Sequence, residues 1–407
     1  MKTDGAKSKN LILALFLIFI VYFFLYTTLK QGIFSANPYD SYSLQAISWW
    51  KGRADLGQDY SWLELAYYGD KIYLSFPPFP SVVMFLLVPF FGEGVPSNLL
   101  VTLYAVASFI ILYFFCIRRR GLSDTKALFW AGFAVFAGNL LSISPFGGVW
   151  YHAQTLSFFM CVLSLYLITS EKPINWYLAL VFWAFAIGCR PFQILYFPLY
   201  VFILYKNLKK RGQGLLQMLK YLIGPIIVGA LYALYNYIRF DSIFEFGHNY
   251  LPEFTQSKLG QFHYRYILEN LPKLFRLPYF EDGMLTFPKF NGFLFFVANP
   301  IFICYFIYLV KTLRGKGPKL GDQAKDTRVK AIIILSCALL HIVWFLSHKT
   351  LGGWQFGTRY LVDLIPYIFF SITLADIDVK RYEIGLFAFG LVLNIYGTLW
   401  LNLGWAG

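Results

Sequence analysis

Long apolar stretches alternate with short polar and basic segments along this chain. The first stretch, residues 11–29, has 19 residues and no charged side chain, which is long enough to cross a bilayer. Ten further apolar stretches predict membrane spans, at residues 98–116, 126–143, 153–169, 175–189, 190–206, 216–238, 292–311, 330–347, 359–375 and 383–402. The pattern therefore predicts an all-α polytopic membrane protein with about 11 transmembrane helices.

Two long polar segments interrupt this pattern, residues 30–80 and residues 239–292. In the first, Leu44, Ile47 and Trp50 recur with the spacing of a helix that has one apolar face. We therefore predict an interfacial helix over residues 41–50, beside the membrane surface.

Residues 81–91 are apolar but too short to cross the membrane, because 11 residues rise about 1.5 Å each against a core of about 30 Å. A full crossing would also place Arg118, Arg119 and Arg120 on the side opposite the other basic loops. We therefore predict an interfacial or re-entrant helix at this point.

The composition supports a membrane protein and excludes a soluble globular one, since 58% of residues are hydrophobic and only 14% are charged. The net charge of +14 lies mainly in short loops between spans, such as residues 311–330. This is the positive-inside pattern and not a nucleic-acid-binding patch. It predicts a cytoplasmic N-terminus and external loops 30–80 and 239–292. The succession of spans predicts one transmembrane domain over residues 1–407 without a soluble C-terminal domain.

Asp40 is the first candidate for chemistry, because Asn37-Pro-Tyr-Asp40 places an acid just outside the first span. An acid at the membrane surface is a candidate general base for a lipid-borne substrate. Aspartate is also a good N-cap, so Asp40 is alternatively the cap of the helix at 41–50. The two roles are compatible.

Two arginines at the external ends of spans are candidates for binding phosphate, since a guanidinium group binds phosphate oxygens in a fork. Arg190 lies between Cys189 and Pro191, and an interfacial anchor is the alternative role. Arg359 follows the glycine-rich segment 352–357, and an ion pair with Asp363 one helical turn later is its alternative.

Other polar residues offer weaker signals. The five cysteines have no CxxC spacing, and the histidines at 152, 248 and 348 are too far apart in sequence to indicate a metal site. His152 follows two glycines at an outer boundary, where a packing role is the alternative to ligand binding. Asp376-Ile-Asp378 is a short DxD pattern on the cytoplasmic side, and we predict no site there.

The chain resembles the membrane-embedded GT-C glycosyltransferases, which include protein O-mannosyltransferases and aminoarabinose transferases. The resemblance lies in four features: a long first loop with an acid near its start, the run from Gly69 to Pro78, the Arg190-Pro191 pair and the segment Phe356 to Tyr360. It implies transfer of a sugar from a polyprenyl-phosphate donor on the external face, with Asp40 as the general base.

Two features depart from the family pattern. The Trp-Trp-Asp-Tyr-Gly motif of the oligosaccharyltransferases is absent, which excludes that branch. No second acid stands beside Asp40, unless Glu64 takes its place, and this leaves a requirement for a divalent metal open. No metal ligand is predicted.

We therefore predict an inverting glycosyltransferase of the bacterial plasma membrane whose site faces outside and whose acceptor is a glycan, a lipid or a protein. The predicted site comprises catalytic Asp40 and Glu64, phosphate-binding Lys71, Arg190 and Arg359, and substrate-binding Tyr73, His152, Tyr360 and His248. The alternative is a transporter or lipid flippase without glycosyl transfer. The predicted spans carry their charged residues at or near their ends, with His341 and a few amides further inside, which favours an interfacial enzyme.

Overall fold

The computed structural model describes residues 2–315 and 322–404. Its α-helices are Lys2–Thr28, Ser41–Trp50, Phe79–Phe91, Ser97–Arg120, Asp124–Phe136, Asn139–Ile143, Val149–Ile168, Pro173–Ile187, Phe197–Lys209, Leu219–Phe240, Pro252–Thr255, Arg265–Asn270, Phe295–Ala298, Ile301–Leu313, Asp322–Leu346, Ile365–Ile372 and Arg381–Asn402. Short 3₁₀ turns lie at Gly92–Gly94, Pro191–Tyr196, Leu215–Met218, His248–Tyr250, Leu271–Phe275 and Arg359–Leu364. The largest hydrophobic core cluster draws on residues from Tyr22 to Leu399, so most helices share one core.

In the described part of the chain, six helices are long and apolar enough to cross a membrane. They are Lys9–Thr28, Ser97–Arg120, Val149–Ile168, Leu215–Phe240, Gln323–Leu346 and Arg381–Asn402. Three shorter apolar helices accompany them, at Phe79–Gly94, Pro173–Ile187 and Ile301–Leu313. The structure thus supports a helical membrane bundle, whereas the predicted count of about 11 spans is not reached by continuous helices.

Buried amides explain why some predicted spans are broken. The stretch predicted at 126–143 divides before Asn139, and the stretch at 292–311 divides at Asn299. The backbone N–H of Asn139 donates to Oδ1 of Asn299 at 2.8 Å, and Nδ2 of Asn299 donates to Oδ1 of Asn139 at 2.8 Å. Asn394 donates to the carbonyl of Ala298 at 2.8 Å. These side chains satisfy backbone groups that the helix breaks leave free, as a membrane interior requires.

The two long loops also contain β-structure, so the all-α prediction was incomplete. Strands Leu65–Tyr68 and Lys71–Leu74 pair antiparallel in the first loop, as do Tyr279–Glu281 and Met284–Thr286 in the second. The second hairpin turns at Asp282 and Gly283, whose φ angles of 50° and 75° suit a two-residue hairpin turn. An Asp-Gly pair is a hairpin signal that the sequence already carried.

The helix Phe79–Phe91 corresponds to the segment predicted to be interfacial or re-entrant. The N–H of Phe79 donates to the carbonyl of Gly188 at 3.0 Å. Gly188 directly follows the helix Pro173–Ile187 and precedes Arg190 by two residues. The following helix begins at Ser97, whose hydroxyl accepts from the N–H of Asn37 at 2.9 Å. Both ends of the segment therefore lie near the first loop, at one end of the bundle.

The first and second loops meet at this end of the bundle. Tyr68 donates to Asp241 at 3.0 Å, and Arg239 donates to the carbonyl of Leu74 at 2.8 Å. Ion pairs join other polar segments to one another, through Lys206 with Asp326 at 2.6 Å and Lys126 with Asp378 at 2.9 Å. The structure thus brings together segments that the charge pattern assigns to the same side.

We expect cysteine labelling of intact cells to reach the first two loops and not the basic loops. The five native cysteines are buried, so a cysteine placed at exposed Gln256 should react with a membrane-impermeant maleimide, and one at exposed Lys209 should not. Residue 320, which lies outside the described residues, belongs to the predicted cytoplasmic loop. Labelling of Lys209→Cys from outside would contradict this topology.

Candidate active site

A cavity of about 1330 Å³ lies where the two long loops cover the bundle. Its wall includes the cations Arg190 and Arg359 together with the ring of Tyr360. Acidic and histidine side chains also line it, namely Glu64, Glu245, Glu253, His248, His263 and His348. The volume is large enough for a lipid headgroup with a sugar and an acceptor group.

Arg359 is the most distinctive group in the wall. Only 4% of it is exposed, yet its Nε and Nη1 atoms find no hydrogen-bond partner among the described residues. Its Nη2 donates to the carbonyl of Gly352 at 3.2 Å, and the guanidinium carbon lies 4.6 Å from the centre of the Tyr360 ring. A buried cation with unused donors beside a cavity indicates a site for an anion.

The glycine-rich segment positions Arg359. Gly352 and Gly357 have φ angles of 101° and 69°, a region that residues with a Cβ rarely adopt. Oε1 of Gln355 accepts from the N–H of Arg359 at 2.9 Å, and Thr358 donates to the carbonyl of Phe293 at 2.6 Å. These two hydrogen bonds hold Thr358 and the backbone of Arg359 in place.

Arg190 stacks on the same ring, with its guanidinium carbon 4.6 Å from the centre of Tyr360, so the two cations lie no more than twice that distance apart. Its Nε donates to Oδ2 of Asp363 at 2.9 Å. Asp363 therefore pairs with Arg190, which is far from it in sequence, and not with Arg359 as the alternative prediction proposed. Gln154, in the helix Val149–Ile168, donates to Oδ1 of Asp363 and to the carbonyl of Arg359, and so holds the turn Arg359–Leu364 in place.

We expect Arg190→Ala to destabilise the protein, by about 3–5 kcal/mol, because it leaves the buried carboxylate of Asp363 without its cation. Thermal unfolding in a fixed lipid mixture measures the loss. The double variant Arg190→Ala with Asp363→Asn should recover much of it. No recovery would contradict the structural role of this pair.

Asp40 caps the helix Ser41–Trp50, as the sequence predicts. Its Oδ1 accepts from the N–H of Ser43 at 3.3 Å and its Oδ2 from the hydroxyl of Ser43 at 2.6 Å. The residue is 6% exposed, and burial raises the pKa of its carboxyl from 3.8 to about 6. Asp40 itself is outside the cavity wall, whereas the preceding residues 37–39 line it.

Glu64 does line the cavity. Nε1 of Trp150 donates to its Oε2 at 2.9 Å, which holds the carboxylate at the start of the helix Val149–Ile168. Burial, and next the negative charge of Glu64, raises the pKa of Glu253. The two acids therefore face a common region of the cavity.

Two histidines lie near these acids. Burial lowers the pKa of His248, whose Nδ1 lies within hydrogen-bond distance of the carbonyl of Ser75. Burial, and next the charge of His248, lowers the pKa of His348 to about 4. Both rings are therefore neutral near pH 7 and can act as hydrogen-bond partners. His348, Glu245 and Glu253 were absent from the predicted site, and only their position on the predicted external face could have indicated them.

Besides Asp40, three predicted site residues are outside the cavity wall, namely Lys71, Tyr73 and His152. Lys71 is exposed at the turn of the first hairpin, and Tyr73 packs on Phe240 with ring centres 5.2 Å apart. His152 is fully buried between the rings of Tyr42 and Tyr104, which corrects its predicted contact with substrate. Its helix turns the neighbouring residues, 151 and 153, toward the cavity instead.

The DxD pattern lies apart from the cavity. Asp378 of the DxD pattern pairs with Lys126, in the region of the basic loops. Within the residues that the structure describes, no group of three or more His, Cys, Asp or Glu side chains could hold a metal ion.

Comparison with known proteins gives matches only at the level of structure. No family model and no curated protein matches the chain. Two crystal structures do: ArnT from Cupriavidus metallidurans bound to undecaprenyl phosphate, with a TM-score of 0.54, and the same protein in the apo state, with 0.51. This chain has the fold of ArnT. The match covers 93% of this chain at 14% identity, and the chain spans 62% of the length of ArnT.

ArnT is an aminoarabinose transferase of the GT-C type, so the resemblance to GT-C membrane glycosyltransferases is confirmed at the level of the fold. An identity of 14% supports a common fold and does not transfer the individual residues of a site. The roles of the residues in this cavity therefore follow from the side chains of this chain.

Proposed function

We propose that this protein is a membrane glycosyltransferase that moves a sugar from a polyprenyl-phosphate donor to an acceptor in the cavity. The observation that carries the proposal is Arg359, a buried guanidinium with two unpaired nitrogens at the cavity wall. The crystal structure of ArnT bound to undecaprenyl phosphate supports the donor class, because that protein has the same fold. The acceptor is a glycan, a lipid or a protein.

The two arginines suit the departing phosphate. When the bond from the sugar to the lipid phosphate breaks, negative charge grows on the phosphate oxygens. Arg359 offers two free donors and Arg190 adds a second cation at the same ring, so both stabilise that charge. A fixed pair of cations is most effective for a charge that develops during the reaction.

Asp40 is the proposed general base. As a helix cap alone, it would be replaced equally well by asparagine, which carries no buried charge. Its raised pKa of about 6 lies near neutral pH, where a base works best, and its neighbours at 37–39 reach the cavity. In a single displacement the acceptor oxygen attacks the anomeric carbon, its proton passes to Asp40, and the configuration inverts.

Glu64 is the second proposed catalytic acid. It touches the cavity directly, with one oxygen held by Trp150, and its other oxygen is available to orient an acceptor hydroxyl. We place the cavity on the external face, where a lipid-borne donor replaces the nucleotide sugars of the cytoplasm. The alternative of a transporter or flippase gains no specific support from these groups, because they cluster at one end of the bundle.

Binding of the donor headgroup tests the proposal. Purified protein in lipid nanodiscs should bind a polyprenyl phosphate and bind the matching polyprenyl alcohol far more weakly, because only the phosphate engages the arginines. Thermal stabilisation by each lipid gives the readout. Equal stabilisation by the phosphate and the alcohol would contradict a phosphate site.

A further inference from the structure

The segment from Tyr264 to Phe280, in the second loop, has one buried face and one exposed apolar face. Its inward face consists of Tyr266, Asn270 and Leu274, all buried and spaced by four residues. Its outward face is a stripe of large apolar side chains with spacings of four, three and four, namely Tyr264, Leu268, Leu271 and Phe275, which are 67%, 76%, 42% and 60% exposed. Leu277 and Phe280 continue this exposed stripe at 61% and 77%.

The inward face fixes the depth of the segment. Nδ2 of Asn270 donates to the carbonyls of Leu346 and His348 at 3.0 and 2.8 Å. The N–H of His263 donates to the carbonyl of Ser347 at 2.8 Å. Leu346 is the last residue of a helix that is long and apolar enough to cross the membrane. The stripe therefore lies at the membrane boundary, on the end of the bundle that holds the cavity.

The charges around the stripe favour a lipid surface as its partner. Residues 264–280 contain three basic side chains, Arg265, Lys273 and Arg276, and Glu269 as the one acid. A contiguous apolar surface of this kind is unusual in contact with water. Large apolar side chains flanked by basic residues are typical of helices that lie in the membrane interface and attract anionic headgroups.

We propose that residues 264–280 insert the stripe into the leaflet beside the cavity, with the three basic side chains at anionic headgroups. Tyr264 and Ile267 also line the cavity, so the segment separates the cavity from lipid on this side. If the proposed function holds, this is the side on which the lipid-borne donor meets the protein. The insertion itself does not depend on that function.

Accessibility of spin labels tests the insertion. The variants Leu268→Cys and Phe275→Cys, and the control Gln256→Cys at an exposed polar position of the same loop, can be labelled selectively because the five native cysteines are buried. The protein is placed in vesicles of phosphatidylcholine and phosphatidylglycerol. Labels at 268 and 275 should meet dissolved oxygen and avoid a water-soluble nickel chelate, with the reverse at 256.

Two outcomes would overturn the insertion. High nickel accessibility at 268 and 275 would place the stripe in water. Dipolar broadening between labels of different molecules would place a second copy of the chain on the stripe. Both readouts are independent of enzymatic activity.

A kinetic experiment tests whether insertion of the stripe affects use of the lipid-borne donor. The double variant Leu268→Ser with Phe275→Ser should slow use of a long-chain donor in the bilayer about tenfold, the scale of one lost apolar contact, and leave a short-chain, water-soluble donor unaffected. Gln256→Ser is the matched control. Equal slowing with both donors would overturn the link to lipid entry, and no turnover by the unaltered protein would instead count against the proposed function.

Discussion

Arg359→Met should reduce turnover by about a hundredfold to a thousandfold, the scale on which one preorganised stabilising group contributes. Methionine keeps the length and much of the packing of the side chain but removes the charge. In the described structure Arg359 has no carboxylate hydrogen-bonded to its guanidinium, so its removal leaves no such acid unpaired. The folded protein should therefore keep its stability or gain some, because burying an unpaired cation is costly.

The choice of control makes this test specific. Arg190→Ala would confuse catalysis with folding, because it also removes the ion pair with Asp363. Arg53→Met removes an exposed cation that pairs with Asp55 and lies outside the cavity wall, so its activity should be unchanged. The turnover of Arg359→Lys should lie between those of Arg359→Met and the unaltered protein, since lysine keeps the charge and loses the forked pair of donors. If Arg359→Met turned over as fast as Arg53→Met, Arg359 would have only a packing role.

Asp40→Asn should make the protein more stable near neutral pH and at the same time reduce turnover by about a hundredfold or more. Asparagine caps a helix about as well as aspartate, so the helix Ser41–Trp50 should remain. It cannot accept a proton, so the base is lost. A variant that gains stability and loses activity is the signature of a residue retained for function.

The pH dependence gives the sign of the stability effect. The pKa of Asp40 is raised from 3.8 to about 6 in the fold, so the folded state binds the proton more tightly than the unfolded state. The favourable contribution of the neutral carboxyl is complete below pH 3.8 and is lost as the pH rises through about 6. Above that, the cost of the buried charge reaches about 3 kcal/mol.

Thermal unfolding of both proteins between pH 4 and pH 8 measures this cost, since other titrating groups cancel in the difference. Asp40→Asn should exceed the unaltered protein in stability at pH 8 and match it near pH 4. Full activity of Asp40→Asn would leave Asp40 as a cap alone. Glu64→Gln is the companion variant, and it should weaken the apparent affinity for the acceptor more than it lowers the maximal rate.

Local sequence patterns predicted much of the fold. Asp40 as a cap and a helix over residues 41–50 followed from a capping residue and a helical spacing, both of which act within one or two turns. Uninterrupted apolar stretches such as Ser97–Arg120 were equally clear. The broken spans were not, because the helix ends at Asn139 and Asn299 depend on amides 160 residues apart in sequence.

The candidate site was predicted less well, for a similar reason. Arg190 and the pair Arg359-Tyr360 were recognised in two separate motifs, but the stacking of Arg190 on Tyr360 and its pairing with Asp363 arise from packing of segments far apart in sequence. His152 was predicted to contact substrate but is buried, since a helix N-terminus at a surface does not reveal which residues face inward. Lys71 was predicted to bind phosphate from its positive charge and its place in the first loop. Its position beside the hairpin turn exposes it to solvent instead.

Release of polyprenyl phosphate by the purified protein decides whether the chain is a glycosyltransferase of this kind. Protein in lipid is given polyprenyl-phosphate sugars of several kinds with candidate acceptors, and donor binding is measured alongside. We expect release that depends on the acceptor and falls about a hundredfold or more in Asp40→Asn. Tight donor binding without release in the presence of any acceptor, or release unchanged in Asp40→Asn and Arg359→Met, would contradict the proposed function.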